Sequence, residues 1–320
     1  MAIDPDLLVY YRGLAERYAG APVPADALER RARFREVAAL SHRPDPEGLA
    51  VSELAIALEG RTLNARLFRP TAVARPRLLV YFHGGGWVVG SHETHHGVAA
   101  ALALDTGCAV VSVDYRLAPE HPYPAPCDDA LDAVRWLAQR RNALEVDPRF
   151  LAVAGDSAGG HLAAQAAALS NADTPGLVRA QFLIYPVTAP RFASESYRAF
   201  AAGPGLTRDE MTWYWTQLIG EARLADGTAM DDPRLHLMAA LPGRSTAVPP
   251  ATVVLVAAHD VLRDDGLAYA DHLVREGAAV ITIEASGMTH GFARLQGESP
   301  RAREWMRRGA QAFAQLLDEE

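Results

Sequence analysis

The sequence predicts an α/β fold, a mainly parallel sheet covered by helices on both faces. Three observations carry this prediction. From about residue 77 onward, short apolar runs alternate with helical stretches. The runs RLLVYFH (77–83), AVVSVDY (109–115) and TVVLVAA (252–258) are apolar nearly throughout, as strands buried on both faces must be. The polar residues with chemical potential follow directly on such runs, where open α/β sheets bind their ligands.

Taken in order, Pro5 to Tyr18 is an amphipathic helix with Leu7, Tyr11, Leu14 and Tyr18 on one face. Ala25 to Leu40 is a second helix, highly charged and with a thinner apolar side. SHRPDPEG (41–48) is rich in helix breakers and reads as a tether. Val51 to Leu58 and Leu63 to Arg69 flank Glu59-Gly60-Arg61 as a hairpin. Arg77–His83, Ala109–Tyr115, Phe150–Asp156, Ala180–Tyr185, Thr252–Ala258 and Val280–Ala285 are the following strands. Helices are expected up to Asp105, over Asp128–Arg141, after Ser157, over Gly266–Glu276 and over Ala302–Asp318. The alternation breaks between Pro186 and Pro250. An aromatic helical stretch there, followed by the polar DDPRLHLMAALPG, is too long for a simple crossover and reads as an insertion. The expected division is residues 1–48 as N-terminal helices, 49–188 with 248–320 as the main domain, and 189–247 as the inserted cap.

Composition narrows the function. The 320 residues are 49% hydrophobic and 22% charged, ordinary for a globular chain. A net charge of -8 and the lack of a basic patch with interleaved aromatics argue against a nucleic-acid partner. The chain contains no lysine, which excludes Schiff-base chemistry, a P-loop lysine and a Ser-Lys pair. Two cysteines give no disulfide framework and no cysteine metal site; Cys108 reads as core and Cys127 as free at the start of a helix. The N-terminus lacks the basic region and apolar core of a signal peptide, and no window reaches a membrane-spanning length. The expectation is a cytoplasmic protein with no membrane partner.

The chemistry centres on FLAVAGDSAGGHLAAQAAALS (150–170). Gly155, Ser157 and Gly159 form G-x-S-x-G between a strand and a helix. A serine on that sharp turn points its hydroxyl out of the sheet, and the glycines let strand and helix approach. Asp260 follows the run 252–258, and His290 lies in GMTHGF after the last strand. Serine is a weak nucleophile at neutral pH and needs a base within reach; histidine suits the task, and a carboxylate orients it. Asp264 and Asp265 are alternatives for the acid. His259 is a less fitting base because it precedes the acid. HGGGW (83–87) follows a strand, and its glycines can turn backbone N–H groups toward an oxyanion, with the Ala158 N–H as a second source. Gly84, Trp87, Leu206, Met211 and Trp213 are expected around a substrate pocket, although the aromatic residues there, Trp215 included, serve equally well as cap core.

HGGGWVVGS, VSVDYRLAPEHPYPAP, AGDSAGGHLAA, LIYP and GMTHGF, in this order, resemble the hormone-sensitive lipase family of carboxylesterases, bacterial family IV. The resemblance spans most of residues 50 to 315. It implies an α/β-hydrolase fold with an eight-stranded sheet and a helical cap. It also implies a Ser157, Asp260, His290 triad, an oxyanion hole of Gly85, Gly86 and Ala158, short- to medium-chain acyl esters as substrates, no cofactor, and a homodimer as a common assembly. Two positions depart from the family pattern. Val261 stands where Asp-Pro-Leu is usual, and His161 stands where Asn commonly follows the serine motif; neither change removes a catalytic group.

Three other readings compete. A hydrolase-like receptor would bind ligand without turnover, but members of that kind have lost the histidine kept here. His92-Glu93-Thr94-His95-His96 fits the zinc-peptidase motif H-E-x-x-H, yet it falls at a loop-to-helix junction with no third ligand in view, and reads as a polar helix start near the pocket mouth. The glycines after the 77–83 run resemble a dinucleotide fingerprint only faintly, with the wrong spacing.

Overall fold

A computed structural model of the chain describes residues 2–239 and 248–319. Two helices lead. α1 (Pro5–Arg17) starts with proline in its first turn, behind Asp4, whose carboxylate accepts the Asp6 N–H. α2 (Ala27–Leu40) is capped by Asp26. β1 (Leu49–Leu58) and β2 (Arg61–Pro70) pair antiparallel from Leu49–Pro70 to Leu58–Arg61 around Glu59-Gly60, the predicted hairpin. The chain then runs β3 (Leu78–Phe82), α3 (His96–Thr106), β4 (Ala109–Val113), α4 (Ala125–Gln139), β5 (Leu151–Asp156), α5 (Ala158–Asp173) and β6 (Ala180–Ile184). The interval before the next strand carries α6 (Glu195–Ala199), α7 (Arg208–Ile219) and α8 (Glu221–Ala225). β7 (Ala251–His259), α9 (Arg263–Arg275), β8 (Val280–Thr289) and α10 (Pro300–Glu319) complete the described chain. The last residues of the polar stretch 231–243 lie outside the described residues.

The eight strands form one sheet in the order β1-β2-β4-β3-β5-β6-β7-β8, parallel from β4 to β8. Successive strand residues face opposite sides. Leu78, Val80 and Phe82 join the core under α4, α5 and α9, while Leu79 and Tyr81 join the one under α3 and α10. Two buried faces explain why these strands read as unbroken apolar runs. After β3 the chain turns to β4 on one side and later to β5 on the other, so β3 and β5 flank a topological switch point. Phe82 pairs with Gly155 there, and the crevice beyond it is the expected ligand position.

Three expectations are adjusted. β8 runs on to Thr289, past the expected end at Ala285, which brings His290 directly to a strand end. α4 begins at Ala125, because Pro126 is tolerated in a first turn. The stretch 41–48 is more than a tether: Arg43 pairs with Glu298 at 2.9 Å, and Asp45 pairs with His96. Both cysteines are free and buried. Among the described residues no helix is long and apolar enough to cross a membrane.

Candidate active site

β5 ends at Asp156 and α5 begins at Ala158, leaving Ser157 alone in the turn with φ 55° and ψ -120°. This is strained backbone for a residue with a side chain, costing about 1–3 kcal/mol. It is held by the Ser157 N–H on the Ile184 carbonyl at 2.9 Å. A Cβ on Gly159 would run into the Phe82 carbonyl, and one on Gly155 into the Gly159 carbonyl, so the elbow closes only with glycine at both places. The geometry leaves the Ser157 hydroxyl at the N-terminus of a 16-residue helix, where partial positive charge favours an anion.

The ends of β7 and β8 bring the other two residues to it. His290 Nε2 lies 2.9 Å from Ser157 Oγ, and its Nδ1 lies 2.6 Å from Asp260 Oδ2. Because a carboxylate only accepts, Nδ1 carries the proton and Nε2 is free to accept from the serine. Asp260 is buried, and its other oxygen accepts the Leu262 N–H at 3.0 Å. Val261 in place of the family's proline leaves the carboxylate in place; its carbonyl accepts the Ser196 hydroxyl. The two alternative acids face elsewhere. Asp264 accepts the Ser196 N–H, and Asp265 is buried near Ser194, where desolvation raises its carboxyl to about 7. His259 packs edge-on against Phe200.

The glycine loop is folded against the elbow. Gly85, at φ 122°, accepts both the Val88 and Val89 N–H groups on its carbonyl, at 3.0 and 2.9 Å. Among the described residues the Gly85, Gly86 and Ala158 N–H groups have no protein acceptor. The loop is tied down by Asp156, the residue beside the serine. Its Oδ1 accepts the Gly84 N–H at 2.8 Å and the Tyr81 hydroxyl at 2.5 Å, and Oδ2 lies 3.6 Å from His95 Nε2. Burial alone would raise this carboxyl. The charge of His95, hydrogen bonds from His95 and Tyr81, and the charge of Arg294 outweigh it and hold the group well below the usual carboxylate range. His83 stacks on Tyr115 at 4.4 Å and is brought to about 4 by burial and by His95, so it is neutral; its Nδ1 donates to the Gly84 carbonyl.

The H-E-x-x-H stretch belongs to this scaffold rather than to a pocket mouth. His92 and His95 are buried; His92 pairs with Asp114 at 2.7 Å, His95 faces Asp156, and His96 pairs with Asp45. The side chains thus serve three separate carboxylates. Among the residues expected around a pocket, Gly84 is turned onto Asp156, and Trp87 and Met211 are inaccessible to solvent. Trp87 packs on Trp215 at 4.5 Å and on His161 at 5.3 Å, which makes these three the seam between α5, α7 and the glycine loop. Burial brings His161 to about 4, so it is a neutral packing residue. Leu206 is buried in the same core, and Trp213 is half-buried. Sequence reasoning missed Asp156 and Tyr81, and it read His95 only as part of the H-E-x-x-H stretch, not as a partner of Asp156. It also missed Tyr185, whose ring lies 4.6 Å from that of His290 and tilted 55° to it, and Tyr214, whose ring covers Gly86 so closely that a Cβ there would collide with it. Of these only Asp156 carried a local signal, its place inside the G-D-S turn.

A strained serine elbow, a hydrogen-bonded histidine and carboxylate, and a glycine loop with free amides on a doubly wound sheet define a hydrolase of the serine type. A family model described as alpha/beta hydrolase fold matches residues 79–294. An ethyl acetate hydrolase from Pseudomonas putida is 38% identical over 310 residues, covering 92% of this chain and 93% of the relative. Carboxylesterase NlhH from Mycobacterium tuberculosis is 37% identical over 320 residues, covering 98% and 97%. A hyperthermophilic esterase from the archaeon Pyrobaculum calidifontis superposes with a TM-score of 0.88 at 33% identity, covering 99% of each chain. The chain belongs to the hormone-sensitive-lipase-like carboxylesterases of the alpha/beta hydrolase fold, and it is a carboxylic ester hydrolase.

Proposed function

We propose that this carboxylesterase hydrolyses short- to medium-chain acyl esters through an acyl-enzyme intermediate on Ser157. The serine oxygen attacks the ester carbonyl carbon while its proton passes to Nε2 of His290. Asp260 keeps the imidazole in the required tautomer and stabilises the imidazolium. The N–H groups of Gly85, Gly86 and Ala158 receive the oxyanion. His290 then protonates the departing alcohol, and later deprotonates the water that releases the acid. Neither a metal nor an organic cofactor has a step in this mechanism. The observation that carries the reading is the continuous chain from Ser157 Oγ to Asp260, 2.9 and 2.6 Å long. The ethyl acetate hydrolase among the relatives supports small acyl groups. In this reading residues 1–48 and 189–247 form the cap over the catalytic domain, the protein works in the cytoplasm, and a homodimer is the assembly to look for.

The test is turnover of activated and alkyl esters by three variants. Ser157→Ala is expected to lose about a thousandfold or more in kcat, since triad members act as a unit. Asp260→Asn is expected to lose most activity, and Asp264→Asn little. An active Ser157→Ala enzyme would remove the nucleophile from this mechanism, and the reverse ranking of the two aspartates would move the acid.

A further inference from the structure

The end of β8 that carries His290 is held only in part by the sheet. β8 pairs with β7 in register as far as Ala285 opposite Ala257, and next at Thr289 opposite His259. Ser286, Gly287 and Met288 therefore stand against Ala258 alone. A bulge of this kind interrupts the ladder, bends the strand and re-aims the side chain that follows it. Here the residues that follow the last pair are His290 on β8 and Asp260 on β7. What the ladder gives up is taken up from outside the sheet. Trp305 of α10 donates its Nε1–H to the Ser286 carbonyl at 3.3 Å, and the Asp4 N–H, at the start of α1, donates to the Gly287 carbonyl at 2.9 Å. Asp4 also accepts the Ser299 hydroxyl at 3.1 Å, which ties the start of α1 to the segment before α10.

The last of these ties comes from Tyr11 of α1. Its hydroxyl shares a hydrogen bond of 2.7 Å with Oγ1 of Thr289, which is fully buried and immediately precedes His290. Burial raises the phenol above its ordinary value, so it remains a neutral hydroxyl. The loop before α7 closes over the same point. A Cβ on Gly205 would lie 3.2 Å from the Tyr11 hydroxyl and 3.1 Å from the His290 carbonyl oxygen; this close approach and a φ of 97° both ask for glycine. His290 has to keep two hydrogen bonds at once, 2.9 Å to Ser157 and 2.6 Å to Asp260. The placement of the bulged strand end decides both, and small misplacements of reacting groups cost large factors in rate.

We propose that Tyr11 is a positioning residue for His290: its hydroxyl, acting through Thr289, fixes the bulged end of β8 so that the imidazole spans Ser157 and Asp260. This rests on the reading of His290 as the general base, and it gives α1 a part in the rate of the reaction as well as in stability. The experiment measures kcat and KM for p-nitrophenyl acetate with Tyr11→Phe, Thr289→Val, the double variant and Thr289→Ser, each first checked by circular dichroism for a native fold. Tyr11→Phe keeps the ring and removes only the hydroxyl. It and Thr289→Val should each lower kcat about three- to tenfold, the factor that corresponds to one neutral hydrogen bond. KM should stay within about twofold, because His290 is the base in both acylation and deacylation and the two steps slow together. The double variant should be no slower than the single ones, since both remove the same bond. Thr289→Ser keeps the hydroxyl and should restore most of the parent's kcat. A purely structural tether would lower the urea midpoint and leave the kcat of the folded enzyme unchanged. That result, losses that add up in the double variant, or Thr289→Ser as slow as Thr289→Val would each overturn the proposal while leaving the esterase reading intact. If Tyr11→Phe does not fold, the contrast between Thr289→Val and Thr289→Ser decides by itself. Turnover by His290→Ala at the parent's rate would instead remove the base on which the proposal rests.

Discussion

Asp156→Asn tests the idea that one buried charge holds the glycine loop to the elbow. The substitution keeps shape and removes charge. Asp156 Oδ1 accepts from Tyr81 at 2.5 Å and from the Gly84 N–H at 2.8 Å, and Oδ2 faces His95. A hydrogen bond to an ion contributes about 1.5–3 kcal/mol and one to a neutral acceptor about 0.5–1.5, so weakening the first two costs about 2–3 kcal/mol. An amide N–H aimed at His95 in place of an oxygen adds to this. The expected loss is about 2–4 kcal/mol in urea unfolding at neutral pH. Because Gly84 precedes the two amides assigned to the oxyanion, kcat on a small ester should also fall about ten- to a hundredfold, as misplaced donors do. The pH dependence follows from the depressed carboxyl. Its folded value lies below its ordinary 3.8, so the stabilisation is fully present above that value and is lost only as pH falls through the folded one. The gap between parent and variant should therefore be constant from neutral pH down to about 4 and close only in stronger acid. A variant within about 0.5 kcal/mol of the parent at pH 7 would refute the role given to this charge.

Asp265→Asn should stabilise the protein. Burial raises this carboxyl to about 7, so the folded state favours the proton, and the parent loses stability as pH rises from about 4 to 7. The variant's advantage should grow across that window to about 2–4 kcal/mol, measured by denaturant titration at both ends; a pH-independent difference would contradict it. Cys108 and Cys127 are pushed up to about 11 and 12 by burial and should resist iodoacetamide in the native protein at pH 8, with both labelled after unfolding. Rapid native labelling of either would mean that its surroundings open to solvent.

The elements of this fold, the order Ser157, Asp260, His290 and the glycine loop were legible in the chain because each rests on local rules. Strands buried on both faces need unbroken apolar runs, helices need their periodicity and caps, and a tight elbow needs glycines two positions either side of the serine. Even β8 was placed, though its extension to Thr289 rests on pairing with β7, where the register shifts between Ala257 and His259. What tertiary structure alone decided is which distant residues share a face. Tyr81 and Asp156 meet because β3 and β5 are neighbours across the switch point, although the chain forms β4 between them. Trp87 became packing rather than pocket because α7 lays Trp215 against it. His95 became a partner of Asp156 rather than a metal ligand because the turn before α3 tucks under the glycine loop. Tyr214 over Gly86 follows from how α7 docks. Local spacing sets what a segment can form, whereas the partner of a buried side chain is set by elements far away in sequence, whose packing no short pattern encodes.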